Sequence, residues 1–255
     1  MCAEPLRGWL PIVELRQYTL HAGGRDVLID LFDSELVEPQ EQLGMKVIGQ
    51  FRDLENADRF VWLRGFQNMP ERAQSLGEFY GGPVWQAHRE AANATMIDSH
   101  DVLLLRPARP DSAFRHDGLA RSSSEALVRG FVAATVVHLE TVADETEVVS
   151  HFEQEIAPAV GEGGGSILGY FVTEASENTF PSLPVREGEQ VFVWFTGFAD
   201  RESLERASTA AQPPGLKGVA QVLRLAPTPQ SFLHGRSPTC SAAAVHPQNT
   251  REETR

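Results

Sequence analysis

The sequence predicts an α+β fold in which two tandem ferredoxin-like repeats pack sheet to sheet, as an intrachain pseudo-dimer. Two repeated strands support this prediction. RFVWLRGF from Arg59 returns 132 residues later as VFVWFTGF from Val191, and VLLLRPA from Val102 matches VLRLAPT from Val222. A third observation is that both pairs occur within the same order of strands and helices. The sequence therefore predicts two copies of one structural unit.

Each unit has the predicted element order β-α-β-β-α-β, which is that of a ferredoxin-like domain. VELRQYTL from Val13 and GFVAATVVHL from Gly130 are the opening strands. Asn68 and Glu71 form a capping box for the second helix, and Asp200 caps its counterpart. Apolar residues at helical spacing predict the first helix of each unit: Val27, Leu28, Leu31, Phe32 and Leu36, then Val148, Val149, Phe152 and Ile156. One unit alone leaves a sheet face bare, so the second is its packing partner.

Composition changes mark the expected boundaries. The first unit spans 11–108 and the second spans 130–228. The stretch 109–129 is rich in Pro, Ser and Arg and has no periodicity, which is typical of a linker. Residues 229–255 are polar and poor in aromatic side chains, so we expect a disordered tail.

The net charge excludes several classes of partner. A formal charge of −13 argues against nucleic acid and against an anionic membrane surface. No apolar run approaches the roughly 20 residues of a membrane span, and the first residues lack a secretory signal. Cys2 and Cys240 are the only cysteines, so no disulfide framework is expected. A cytoplasmic location follows as an expectation.

No cofactor or metal is expected either, because the sequence carries no dinucleotide fingerprint and no pair of ligands at metal spacing. His88 and His100 are 12 residues apart, which does not match a helical ligand pair. Haem requires an axial ligand. His151 is the one histidine at a plausible position, but Glu147 and Glu155 flank it on the same helix face, as on a solvated surface.

Four segments together cover about residues 12–108: ELRQYTLHAGGRDVLIDLF, LGMKVIGQF, RFVWLRGFQNMPERAQ and PVWQAHREAANATMIDSHDVLLLRP. They resemble the NIPSNAP family, a branch of the dimeric α/β-barrel superfamily. Most members of this family are described without an assigned reaction. The resemblance implies a ligand cavity between the sheet and its helices. The wider superfamily includes cofactor-free monooxygenases, lactone isomerases, haem enzymes and binding proteins, so the fold leaves the function open.

The first unit carries a segment that the second lacks. Twelve more residues separate its last two strands, and they include a Gly-Gly turn after Tyr80 and a short helix from Pro83. This places Tyr80 and Trp85 at the wall of the implied cavity, as substrate-binding residues. His88, on the same helix face, is a candidate proton-transfer group because histidine titrates near neutral pH.

Alternation along the strands supplies the other candidates. Glu14, Arg16 and Tyr18 share one face of the first strand, and Trp62 and Arg64 share a face of the third. Arg16 and Arg64 are candidates to bind a carboxylate, since a guanidinium can do so bidentately. Trp62 would form a flat apolar wall, and Tyr18 is the second candidate for proton transfer.

Each of these candidates has a purely structural alternative. Trp62 recurs as Trp194, which favours core packing for both. Tyr18 is equally consistent with a buried ring whose hydroxyl is satisfied, and His88 with a solvent-facing helix residue. Both arginines have acidic residues within reach that would neutralise them: Glu14, Glu35 and Asp58.

We therefore expect a protein that binds a small aromatic or carbonyl-bearing metabolite in a cavity of its first unit. Whether it also transforms that ligand is left open by the sequence; such a reaction would require no cofactor. The alternative is a non-catalytic interaction or structural module without an open pocket. A small-molecule partner is expected, and the full chain would be a monomer or a homodimer.

Overall fold

A computed structural model describes residues 10–114, 130–139, 145–209 and 220–235. Its first half contains β1 (Ile12–Leu20), α1 (Gly24–Leu31), α2 (Val37–Gln42), β2 (Lys46–Asp53), β3 (Arg59–Phe66), α3 (Met69–Gly81), α4 (Pro83–Asn93) and β4 (Met96–Pro107). Its second half contains β5 (Phe131–His138), α5 (Glu145–His151), α6 (Ala157–Glu162), β6 (Ser166–Thr173), β7 (Val191–Phe198), α7 (Arg201–Thr209) and β8 (Ala220–Pro227). A π-helical turn joins the first two helices of each half, at Phe32–Leu36 and at Phe152–Ile156.

The eight strands close into one antiparallel barrel in the order β1-β3-β2-β8-β5-β7-β6-β4. Each half supplies four neighbouring strands, and the seams between the halves are β2–β8 and β4–β6. The α+β class is therefore confirmed. The two sheets meet at their edges as well as across their apolar faces, because closure pairs strand edges that would otherwise be exposed.

The two faces of each strand have different neighbours. On β1, Val13 and Leu15 belong to the apolar cluster that fills the barrel. Tyr18 belongs to a second cluster, between the sheet and the helices of the first half. Glu14 and Arg16 alternate with the interior residues and lie on this outer face, as the strand periodicity predicts. Chemistry is therefore expected outside the barrel, under the helices.

The start of the predicted linker packs against the barrel. Phe114 joins the interior cluster, with its ring centroid 4.7 Å from that of Phe171 and 4.9 Å from that of Phe195. Residues 109–114 thus continue the folded structure beyond β4. The rest of the predicted linker, 115–129, lies outside the described residues.

The start of the predicted tail also packs against the barrel. Leu233 is 7% exposed, and its backbone N–H donates to the carbonyl of Ile48 at 3.0 Å. Residues 229–235 therefore extend the fold past β8. The remaining predicted tail, 236–255, lies outside the described residues.

The helix ends follow the local signals in the sequence. The Asn68 side chain accepts from the Glu71 N–H at 2.8 Å, which confirms Asn68 as the N-cap. The Glu71 carboxylate accepts from the Asn68 side-chain amide at 3.0 Å, where a standard capping box uses the backbone N–H. Gly44 and Gly164 follow α2 and α6 with φ of 86° and 84°, a region that favours glycine. In the described part of the chain, no helix is long and apolar enough to cross a membrane.

The halves differ most between their second and third strands. Residues 54–58 make this connection in the first half, whereas residues 174–190 make it in the second. We call residues 174–190 the covering segment, because Phe180 and Leu183 pack against the outer apolar cluster of the first half. The second half thus extends over the helices of the first.

Candidate functional site

A carboxylate surrounded by arginines lies at the centre of the outer face of the first half. Glu14 accepts from Arg16 Nη1 at 2.8 Å, from Arg64 Nη2 at 2.7 Å and from Arg72 Nε at 2.7 Å. All four residues are 0% exposed. We call them the arginine cluster. Burial by itself would raise the pKa of Glu14, but the three guanidiniums outweigh burial and hold it far below its ordinary value.

Strand pairing and a helix cap place these side chains together. Glu14 on β1 lies directly opposite Arg64 on β3. Arg72 follows the Asn68 cap by one turn of α3, and its backbone N–H bonds to the Asn68 carbonyl. Its side chain lies on the buried helix face, where it reaches Glu14 above the sheet.

The remaining arginine contacts extend the network. Arg16 Nε donates to Tyr18 Oη at 3.0 Å, and Arg64 Nη1 donates to Gln40 Oε1 at 3.1 Å. The guanidinium carbons of Arg16 and Arg64 lie 5.5 and 5.0 Å from the Trp62 ring centroid, within cation–π range. The structure therefore brings Arg16, Tyr18, Trp62 and Arg64 into one buried group.

The arginine cluster carries more positive than negative charge. Three guanidiniums face a single carboxylate, which leaves two positive charges in excess among its four members. Gln40 and Tyr18, the other polar neighbours described above, are neutral. Burying uncompensated charge is costly, so proteins normally pair such groups. An anion that reached the cluster could neutralise this excess.

The second half contributes to this site through the covering segment. Arg72 Nη1 donates to Asn178 Oδ1 at 3.0 Å and to Thr179 Oγ1 at 3.3 Å. Thr179 Oγ1 in turn donates to the Met69 carbonyl at 3.1 Å. The Phe180 ring stacks on Tyr80 with a centroid distance of 6.0 Å and an interplanar angle of 23°. The site is thus composite: the strands beneath it belong to the first half, and part of its cover comes from the second half.

The other sequence candidates lie at the edge of this group. Tyr80 and Trp85 are partly buried, with ring centroids 4.9 Å apart. Tyr80 is close enough to raise the pKa of Tyr18, after the larger effect of burial. His88 Nε2 lies 3.5 Å from Glu35 Oε2, and the His88 side chain is 31% exposed. The described contact of His88 is therefore with a surface glutamate on the π-helical turn.

At the corresponding strand positions, the second half has no charged residue. Trp194 is opposite Thr135, as Trp62 is opposite Arg16, and Thr196 is opposite Ala133, as Arg64 is opposite Glu14. Leu204 follows the Asp200 cap as Arg72 follows Asn68 and is 0% exposed. The charged site therefore belongs to the first half.

A separate cleft of about 790 Å³ lies at the β4–β6 seam. Arg106 in this cleft bonds both carboxylate oxygens of Glu145, at 2.8 and 2.9 Å. Arg186 pairs with Glu189 and Asp101. The guanidiniums of this cleft are thus neutralised by their own neighbours, unlike those of the arginine cluster.

The residues described here include no group of three or more His, Cys, Asp or Glu side chains that could hold a metal ion. His151, the candidate haem ligand, ends α5 in the second half and is partly buried. It therefore lies in the half that lacks the arginine cluster.

Sequence reasoning missed Arg72 and the central role of Glu14. Arg72 could have been found, because it occupies the face of α3 defined by Met69, Leu76 and Phe79, where an apolar residue is expected. Glu14 was considered only as a neutralising neighbour of the arginines. Its position between them is visible only once β1 and β3 are paired.

Comparison with one solved structure agrees with this architecture. A provisionally assigned monooxygenase from Lactobacillus acidophilus NCFM superimposes with a TM-score of 0.51 at 14% identity, covering 86% of this chain and 94% of that one. A NIPSNAP-like domain protein from Burkholderia xenovorans is 26% identical, with a TM-score of 0.35, and covers 38% of this chain and 84% of that one. No curated protein sequence matches the chain.

The family comparison locates the match in the first half. The NIPSNAP family model matches residues 13–110. A NIPSNAP family protein of unknown function from Agrobacterium tumefaciens covers 44% of this chain and 100% of its own, at 17% identity and a TM-score of 0.38. All four members of the arginine cluster lie within the matched range. Residues 13–110 are a NIPSNAP-family domain.

Proposed function

We propose that the NIPSNAP domain binds a small anionic metabolite at the arginine cluster. The observation that carries this proposal is the buried excess of two positive charges around Glu14. A carboxylate that reached these guanidiniums would offset the charge that Glu14 leaves uncompensated. Charge-assisted hydrogen bonds to arginine are also among the strongest that proteins make.

The surroundings favour an aromatic or carbonyl-bearing acid. Trp62 and Phe60 supply flat apolar surfaces beside Tyr18, and Tyr80 and Phe180 stack at the edge of the same apolar cluster. Pockets for small metabolites typically combine such walls with a few polar groups. This composition suits a planar ligand with one charged end.

The same groups would suit a reaction that needs no cofactor. Burial raises the pKa of Tyr18, so its phenol stays protonated at neutral pH and can donate to a carbonyl oxygen. Arg16 bonds this phenol and would stabilise negative charge that develops on such an oxygen. His88, beside Glu35, remains the proposed base. Binding is the function we propose first, and proton transfer to or from the bound ligand is its extension.

A specific observation favours the alternative, a non-catalytic structural or interaction module. Each arginine of the cluster already has a described partner, because all three donate to Glu14. Under this alternative the cluster is a structural polar network, and carboxylates have no effect on the protein.

Benzoate is a suitable probe to separate the two functions, since it has one carboxylate and a planar apolar body. We expect it to raise the melting temperature of the wild-type protein in proportion to the logarithm of its concentration. Arg16→Gln should weaken benzoate binding by about 1.5–3 kcal/mol, the scale of a hydrogen bond to a charged group. Arg201→Gln is the matched control, because Arg201 is 61% exposed. No shift in the wild type, or equal shifts in both variants, would contradict the proposal.

We further propose the domain organisation expected from the sequence, with units at 11–108 and 130–228 that form an intrachain pseudo-dimer. The corresponding order of the strands in the two halves and the closure of these strands into one barrel support it. The full chain would be a cytoplasmic monomer or homodimer. We propose that it binds neither nucleic acid nor membrane, in keeping with its charge of −13.

A further inference from the structure

Gln50 lies beside the arginine cluster and was not singled out by the sequence. It is directly opposite Trp62 in the pairing of β2 with β3. Phe51, the next residue, fills the barrel, and Arg52 reaches Asp26 of α1 on the outside. Gln50 therefore lies on the outer, helix-covered face, the same face as Trp62.

Both polar atoms of the Gln50 side chain lack a hydrogen-bond partner among the described residues, and so does the indole N–H of Trp62. Gln50 is 0% exposed and Trp62 is 1% exposed. Thr228 is a neighbour of Gln50, because its backbone N–H donates to the Gln50 carbonyl at 2.8 Å. The buried hydroxyl of Thr228 also lacks a hydrogen-bond partner among the described residues. Unsatisfied buried polar groups are rare in native proteins, and a bound molecule that supplies the missing hydrogen bonds is one explanation for them. Here they occur on neighbouring residues.

The second half has a different side chain at the position that corresponds to Gln50. Tyr170 is opposite Trp194, as Gln50 is opposite Trp62. The Tyr170 hydroxyl donates to Glu153 at 2.8 Å, and its ring packs 5.0 Å from that of Phe152. The second half therefore fills this place with a large, hydrogen-bonded side chain. The first half has a shorter amide there, with two unpaired atoms.

Strand order connects this place to the arginine cluster. Arg16 on β1 is opposite Trp62 on β3, which is opposite Gln50 on β2. Neighbouring strands are about 4.8 Å apart, so the backbones of Arg16 and Gln50 are roughly 10 Å apart, with Trp62 between them. A ligand that spans them would lie along the indole, charged at one end and neutral at the other.

We propose that Gln50 and the Trp62 indole N–H form a second subsite, which binds the neutral hydrogen-bonding end of the ligand whose carboxylate lies at the arginine cluster. This inference rests on the proposed function. The ligand class is then a planar acid with a hydroxyl, carbonyl or amide opposite its carboxylate. The Gln50 amide can donate to such a group and accept from it, and the indole can donate.

The test compares benzoate with 4-hydroxybenzoate, which adds one hydroxyl opposite the carboxylate. We expect the wild-type protein to bind 4-hydroxybenzoate about fivefold more tightly, the worth of a typical net hydrogen bond. Gln50→Met keeps the side-chain length and removes both polar atoms of the amide. This variant should therefore bind benzoate and 4-hydroxybenzoate with about equal affinity. Tyr170→Phe is the matched control in the second half and should keep the full preference. Isothermal titration calorimetry gives all six dissociation constants.

The outcomes separate this inference from the proposed function. If both acids bind the wild type equally well, or if Gln50→Met keeps the preference, the subsite is wrong while anion binding stands. If neither acid binds the wild type, the proposed function fails and the subsite with it. The wild-type preference requires no variant, so the inference remains testable even if Gln50→Met does not fold.

Discussion

The guanidinium of Arg72, on α3 of the first half, donates at 3.0 Å to the side-chain oxygen of Asn178 in the second half. The same Asn178 oxygen accepts from the Phe180 backbone N–H at 3.1 Å, and its amide donates to the Leu183 carbonyl at 3.0 Å. Asn178 therefore shapes the covering segment and attaches it to the arginine cluster. The packing of this segment and the charge of the site are coupled through one side chain.

Asn178→Ala should destabilise the protein by about 1.5–3 kcal/mol, because Arg72 loses an acceptor in a buried position. Urea unfolding followed by tryptophan fluorescence measures this change. Ser176→Ala is the control, since Ser176 is exposed and, among the described residues, its hydrogen bonds go to Glu174 of the covering segment. Equal stability of the two variants would show that the contact with Arg72 contributes nothing.

Glu14→Gln should be among the most destabilising single changes. It deprives three buried guanidiniums of the carboxylate that they share, and breaking a buried pair in this way costs about 3–5 kcal/mol. Glu205→Gln, in an exposed pair with Arg201, should change stability by less than about 0.5 kcal/mol. Chemical denaturation at pH 7 compares the two variants.

The depressed pKa of Glu14 also determines how the free energy of unfolding should depend on pH. The pKa of Glu14 is depressed in the folded state, so the unfolded chain binds the proton more readily. The stabilisation from Glu14 is then complete above the unfolded pKa of about 4.3 and declines as the pH falls below it. Unfolding free energies measured between pH 7 and pH 3 should fall more steeply in the wild type than in Glu14→Gln. Parallel curves would rule out this role for Glu14.

Local patterns were sufficient to predict the strands and the faces of their side chains. The period of two placed Glu14, Arg16 and Tyr18 together, and the Asn68 cap fixed the start of α3. These features depend on neighbours in sequence, so a single sequence reveals them. The capping box, for example, needs only two residues three positions apart.

The composite cover could not be predicted in the same way. The covering segment has no regular periodicity, and its position depends on how the two halves close into a barrel. Gln50 was missed for a related reason. A lone polar residue in a strand usually faces solvent, and only the pairing with Trp62, beneath the helices, shows that this one is buried.

Trp62→Ala and Trp194→Ala should each cost about 3–5 kcal/mol of stability. Both indoles are nearly fully buried, and each packs on a phenylalanine of its π-helical turn: Phe32 at 4.9 Å and Phe152 at 5.4 Å. The functional contrast lies in benzoate binding, which Trp62→Ala should weaken and Trp194→Ala should leave unchanged. Equal effects of both variants on benzoate affinity would mean that benzoate does not bind specifically at the sheet of the first half.

A fragment that ends at residue 114 should form a dimer. Without the second half, the barrel-facing side chains of β1 and β3, such as Leu15 and Leu63, become exposed. The edges of β2 and β4 also lose their partners β8 and β6. A second copy of the fragment offers a similar apolar face and free edges, and closing a symmetric barrel would bury both. Size-exclusion chromatography with light scattering distinguishes the states. A folded, monodisperse monomer would show that the second half is not needed to cover the first, which would remove the main physical reason for the paired arrangement.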